Sequence, residues 1–92
     1  MIVADFRILA IGEGTSLDEP VEQALKALDE KGVRYQVGPL GTTIEAESLA
    51  EVFDAVRAAH DRLRGMTGRV FTQVTIDERL DKEETAESLA KV

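Results

Sequence analysis

The chain has no cysteine, no tryptophan, one tyrosine, one histidine and two prolines in 92 residues. Without thiols there is no disulfide staple and no thiolate chemistry, and the cytoplasm becomes the default compartment. Positive charge is also short: 11 Lys and Arg against 18 Asp and Glu give a net charge of −7. That balance argues against a nucleic-acid or anionic-membrane partner, each of which needs a basic face, and it is compatible with a small cationic ligand. No apolar run approaches the length that spans a bilayer. The N-terminus carries Asp5 inside its apolar stretch and lacks the basic leader of a signal peptide, so it reads as a structural strand. There is no internal repeat, low-complexity tract or interdomain linker. Ninety-two residues suit one domain with a single two-layer core.

What is present is organised around Val33 to Glu47. Val33, Tyr35 and Val37 alternate with Arg34, Gln36 and Gly38, the period-2 signature of a strand with one buried face. Gly38-Pro39-Leu40-Gly41 then bends the chain, because Pro39 has no N–H for a ladder and the flanking glycines relax the backbone. The short loop predicts an antiparallel hairpin whose second strand carries Thr42, Thr43 and Glu45.

Either side of the hairpin holds a strand and a helix. Ile2, Ala4, Phe6, Ile8 and Ala10 form one apolar face of a strand through Ile11, while Val3, Asp5, Arg7, Leu9 and Ile11 form a mixed one. A glycine-rich loop, Gly12 to Leu17, leads into a helix. Asp18 is the favoured N-cap, since it puts Pro20 in the first turn, where a missing N–H does no harm. Val21, Ala24, Leu25 and Leu28 form its apolar stripe, and Gly32 suits its end. Ser48 to Glu51 matches a capping box, followed by a stripe of Leu49, Val52, Phe53, Val56, Ala59 and Leu63. A last strand spans Arg69 to Asp77, with Val70, Thr72, Val74 and Ile76 on one side and Arg69, Phe71, Gln73 and Thr75 on the other. From Asp81 a short polar helix is predicted, with only Ala86, Leu89 and Ala90 as an apolar face, so it has to dock to be stable.

With right-handed crossovers this order is the ferredoxin-like β-α-β-β-α-β arrangement of the α+β class: an antiparallel sheet in order 4-1-3-2 with two helices on one face, plus a C-terminal helix. The other face then carries Val3, Leu9, Ile11 and Phe71 among polar residues, which suits a partner sheet. A homo-oligomer covers it most simply; the alternative is the C-terminal helix folding over part of it.

No catalytic constellation assembles. His60 lies beside the second helical stripe, the place of a boundary histidine hydrogen-bonded to a neighbouring element. Asp77, Glu78 and Asp81 have no histidine or further carboxylate at metal-ligand spacing and read as turn and cap residues. Gly12-Glu13-Gly14 lacks the lysine of a phosphate loop. Two polar groups remain, Thr15-Ser16 and Thr42-Thr43-Glu45. Hydroxyls and one carboxylate near a glycine-rich loop suit a small heteroaromatic ligand, with Glu45 accepting from an exocyclic amine and Tyr35 or Phe71 covering the ring. The competing reading is that Thr42 and Thr43 are only β-formers and Glu45 a solvent-facing strand residue.

Several segments occur together: Gly12 to Leu17 (Gly-x-Gly-Thr-Ser-Leu), Gly32 to Tyr35 (Gly-Val-Arg-Tyr), Gly38 to Glu45 (Gly-Pro-Leu-Gly-Thr-Thr-Ile-Glu), Ala58 to His60 and Arg69 to Arg79. In order and spacing the chain resembles the thiamine-binding-protein family, small ferredoxin-like domains long catalogued as uncharacterised. The resemblance implies a non-enzymatic domain that binds thiamine or its hydroxymethylpyrimidine moiety; the residues themselves suggest no cofactor or metal. It also implies a dimer or tetramer built by sheet-to-sheet packing. Ligand-binding positions carried over by it are Thr15, Ser16, Thr42, Thr43 and Glu45, with Tyr35 as a weaker addition. Ala10 and Thr75 depart from the proline and lysine that relatives often carry. Two other functions compete: an oligomeric regulatory or scaffolding module binding another small molecule or anion, and an enzyme, for which no nucleophile–base pair is visible.

Overall fold

The computed structural model describes residues 1–11 and 18–80, in the order β1 (Ile2–Ala10), α1 (Asp18–Lys31), β2 (Arg34–Val37), β3 (Thr42–Ala46), α2 (Leu49–Arg64) and β4 (Val70–Glu78). The four strands form one antiparallel sheet in the order β2-β3-β1-β4, with the two helices against one face. This is the ferredoxin-like α+β arrangement. The helix predicted from Asp81, and the first loop with Thr15 and Ser16, lie outside the described residues.

Alternation decides which strand residues meet the helices. Ile2, Ala4 and Phe6 of β1 and Ile44 and Ala46 of β3 are buried with Ala24, Ala27 and Leu28 of α1 and Val52, Ala55, Val56, Ala59 and Leu63 of α2. Burying side chains of this size contributes about 1.5–3 kcal/mol each for the larger ones, so this layer holds the fold together. The helical stripes differ from the sequence reading at three positions. Val21 of α1 and Leu49 and Phe53 of α2 are exposed, whereas Ala27 and Ala55 are buried. On α2 the buried stripe is centred on Val52, Ala55, Val56, Ala59 and Leu63, which leaves Leu49 and Phe53 at its margin.

Local chemistry explains the element ends. Gly32 adopts φ +73°, the left-handed conformation that ends a helix cheaply only at glycine, and its N–H donates to the Leu28 carbonyl at 3.1 Å. The Ser48 Oγ accepts from the Glu51 N–H at 3.2 Å and lies 3.4 Å from the Glu51 carboxylate, so its N-cap is made by the serine. Gly38 N–H donates to the Gly41 carbonyl at 2.8 Å and closes the hairpin with Val37 opposite Thr42. A Cβ on Gly41 would lie 3.0 Å from the Phe6 carbonyl oxygen and 3.1 Å from Arg7 Cγ, so the corner sits close against β1 and a side chain there would crowd it. Across the helices, Arg62 reaches the Glu30 carboxylate at 2.6 Å and the Gln23 side chain at 3.3 Å. No helix among the described residues is long and apolar enough to cross a membrane.

Candidate functional site

The face of the sheet away from the helices is where polar residues gather. Register places Glu45 between Arg34 of β2 and Val3 of β1, and Thr43 between Gln36 and Asp5. Opposite residues in antiparallel strands point to the same side, so Arg34, Gln36, Thr43 and Glu45 share one surface. They line a notch of about 220 Å³ together with Tyr35. The Glu45 side chain is only 13% exposed, while Arg34, whose guanidinium lies 3.7 Å from the Glu45 Oε2, is 80% exposed. A shielded carboxylate beside two neutral hydrogen-bonding side chains can accept from an amine and orient a small polar ring.

The other candidates are distributed differently. Thr42 lies opposite Phe6 and Val37, on the helix-facing side, and lines an apolar groove of about 230 Å³ with Val21, Leu25, Val37 and Leu40. Tyr35 lies opposite Ile44 and packs against the core, its hydroxyl donating to the Asp29 carboxylate of α1 at 2.8 Å. That bond raises the tyrosine pKa above its ordinary value, with desolvation and the Asp29 charge adding to it. Tyr35 therefore presents its backbone, not its ring, to the Glu45 notch. Phe71 is on the polar side but opposite Leu9, six residues along β1 from Val3, about 20 Å from the Glu45 register. Thr15 and Ser16 are outside the described residues.

The structure thus brings together Thr43 and Glu45 and leaves Thr42 and Tyr35 on the opposite side. Arg34 and Gln36 complete the notch. They were missed in the sequence because nothing local marks them; the signal was present in the hairpin register, which follows from a four-residue corner. His60 meets its expectation as a boundary residue, with Nδ1 2.7 Å from the Thr72 hydroxyl of β4. Among the described residues no group of three or more His, Cys, Asp or Glu is arranged to hold a metal ion.

The family model described as thiamine-binding protein matches residues 4–92. A UPF0045 protein of Methanothermobacter thermautotrophicus is 41% identical over 83 residues, covering 88% of this chain and 84% of its own. Among solved structures, hypothetical protein MJ1052 of Methanocaldococcus jannaschii superposes with a TM-score of 0.88 at 31% identity, covering 98% of this chain and 92% of its own. A Thermotoga maritima protein (TM0486), provisionally assigned to thiamine biosynthesis or salvage, has a TM-score of 0.81 at 26% identity, covering 98% and 96%.

Proposed function

The chain belongs to the thiamine-binding-protein family, and from that premise we propose that it is a non-enzymatic binder of thiamine or its hydroxymethylpyrimidine moiety. The observation that carries the reading is the notch on the open side of β2 and β3, where Thr43 and Glu45 stand side by side with Gln36. Its volume of about 220 Å³ suits one ring with its substituents. The aminopyrimidine has an exocyclic amine to donate and ring nitrogens to accept, which Glu45, Thr43 and Gln36 complement. A cationic ligand also competes with Arg34 for the Glu45 charge, and the exposed arginine can swing into water when displaced.

On this reading Tyr35 positions β2 against α1 and does not touch the ring, and Thr42 supports the hairpin corner. The exposed Leu9 and Phe71, neighbours on the open side, are the apolar area through which a second copy packs. Thr15 and Ser16 are kept as ligand-binding positions on the strength of the family resemblance.

Isothermal titration with thiamine and with hydroxymethylpyrimidine tests the proposal. Saturable heat with both, weakened by Glu45→Gln, supports it. Absence of heat at millimolar ligand removes it, and a thermal-shift screen that answers instead to an anion transfers the notch to a different ligand class.

A further inference from the structure

A notch of about 220 Å³ holds one ring, so the second half of a thiamine bound there has to lie outside it. Arg34 and Glu45 stand at one end of the notch, and Gln36 and Thr43 stand two residues further along β2 and β3. The next pair on the same side is Gly38 and Gly41, joined by the 2.8 Å hydrogen bond of the corner. Neither has a side chain. The notch therefore opens toward the corner onto a shelf of bare backbone, the kind of surface a ligand ring can approach closely.

β1 supplies charge beside that shelf. Asp5 stands opposite Thr43, and Arg7, two residues on, comes level with Gly41. Both are exposed. Their side chains lean toward β3, since a Cβ on Gly41 would lie 3.2 Å from Asp5 Oδ1 and 3.1 Å from Arg7 Cγ. The missing side chain is what gives them this room. Neither Asp5 nor Arg7 has an ion pair among the described residues. Arg7 lies four residues along β1 from Val3, the neighbour of Glu45, which is about 13 Å of strand. Charge along this line runs negative at Glu45, negative at Asp5 and positive at Arg7.

A phosphorylated thiamine carries the complementary order. We infer that the site takes the phosphate ester of thiamine in preference to the free alcohol, and that Arg7 reads the phosphate. The inference rests on the aminopyrimidine lying in the notch, with its amine donating to Glu45. One carbon away, the thiazolium, a permanent cation, then lies over Gly38 and Gly41 beside the Asp5 carboxylate. The two-carbon arm of that ring carries its phosphate on to Arg7, whose guanidinium can offer two parallel N–H donors to it. The net charge of −7 opposes an anion at long range, so the preference comes from this contact and is modest.

Isothermal titration with thiamine, thiamine monophosphate, hydroxymethylpyrimidine and hydroxymethylpyrimidine phosphate tests it. Thiamine monophosphate should bind about tenfold tighter than thiamine, the size of one hydrogen-bonded contact between charged groups. Arg7→Gln should bring the ester down to the level of thiamine, and Arg7→Glu should put it below. The pyrimidine ester, too short to reach Arg7, should show no such advantage over hydroxymethylpyrimidine. If thiamine binds and its ester binds no better, or if the ester keeps its advantage in Arg7→Gln, the inference is overturned while the notch reading stands. A phosphate that adds as much to the short pyrimidine as to thiamine overturns it as well, because that phosphate lies beside Arg34 and not Arg7. No heat with any of the four removes the notch reading and this inference together.

Discussion

Two faces of one sheet, built from alternate residues of the same strands, differ in almost everything. The helix side buries Ile2, Ala4, Phe6 and Ile44 to within a few per cent of complete. One residue along, Asp5, Thr43 and Glu45 look the other way, in company with Arg34, Gln36 and Thr75. The first set is interchangeable in chemistry and strict in shape, since any close-packed apolar residue of the right volume would serve. The second set is loose in packing and strict in chemistry. Even that side is not uniform: Val3 is buried, while Leu9 and Phe71 at its far end are 42% and 41% exposed. The lesson is that fold and ligand chemistry are written in alternate letters, so a change in one should leave the other nearly untouched.

The largest expected effect is on the helix side. Phe6→Ala should cost about 3–5 kcal/mol in chemical denaturation, the cavity and transfer penalty of a fully buried ring. Thr43→Ala, on the other face, should change stability by less than ~0.5 kcal/mol. Comparable losses from the two would break the separation of roles. Next is Glu45→Gln, expected to reduce affinity for thiamine by about 1.5–3 kcal/mol, the range of a hydrogen bond to a charged group, in isothermal titration. An unchanged dissociation constant takes Glu45 out of the site. Ser48→Ala should remove about 1 kcal/mol of stability through its cap on α2 without altering ligand affinity.

The smallest effect is a titration. The Tyr35 phenol, donating to Asp29, is held protonated in the folded protein to a pH above its ordinary range. Its contribution to stability is therefore complete below the ordinary tyrosine pKa and is lost as pH rises through the higher folded value. With one tyrosine and no tryptophan, phenolate absorbance reads this residue alone. Asp29→Ala should lower the midpoint; an unmoved midpoint would mean that the hydroxyl is not bonded to α1.

Strand order, helix starts and the buried face of each strand were legible because each rests on local pattern. Period-2 runs marked the strands, and Pro20, Gly32, Ser48 and the Gly38–Gly41 corner marked their boundaries. The α2 stripe was half legible. Helical spacing admits Leu49 and Phe53 as well as Val52 and Val56, and only the way the helix is rotated against the sheet, with Val52, Ala55, Ala59 and Leu63 inward, leaves the first pair at the margin. The candidate site was legible in composition but not in arrangement. Thr42, Thr43 and Glu45 are near neighbours in sequence, yet a pleated strand sends Thr42 to one side and the other two to the opposite side. Tyr35 was assigned to the ring by chemistry alone, and its parity with Ile44 sends it to α1.

By itself, the order of amino acids determined which segments become strands and helices and which side of each is apolar. Those properties follow from the period of the backbone and the solubility of the side chains, and they need no knowledge of neighbours. It also carried the family likeness, through motifs that keep their spacing. Tertiary structure alone decided that Arg34 and Gln36 join Thr43 and Glu45, that the Tyr35 hydroxyl goes to Asp29 of α1, and that Phe53 stays in water. Each of these depends on which strand lies beside which, a relation set by packing across the whole chain and invisible in any window of it.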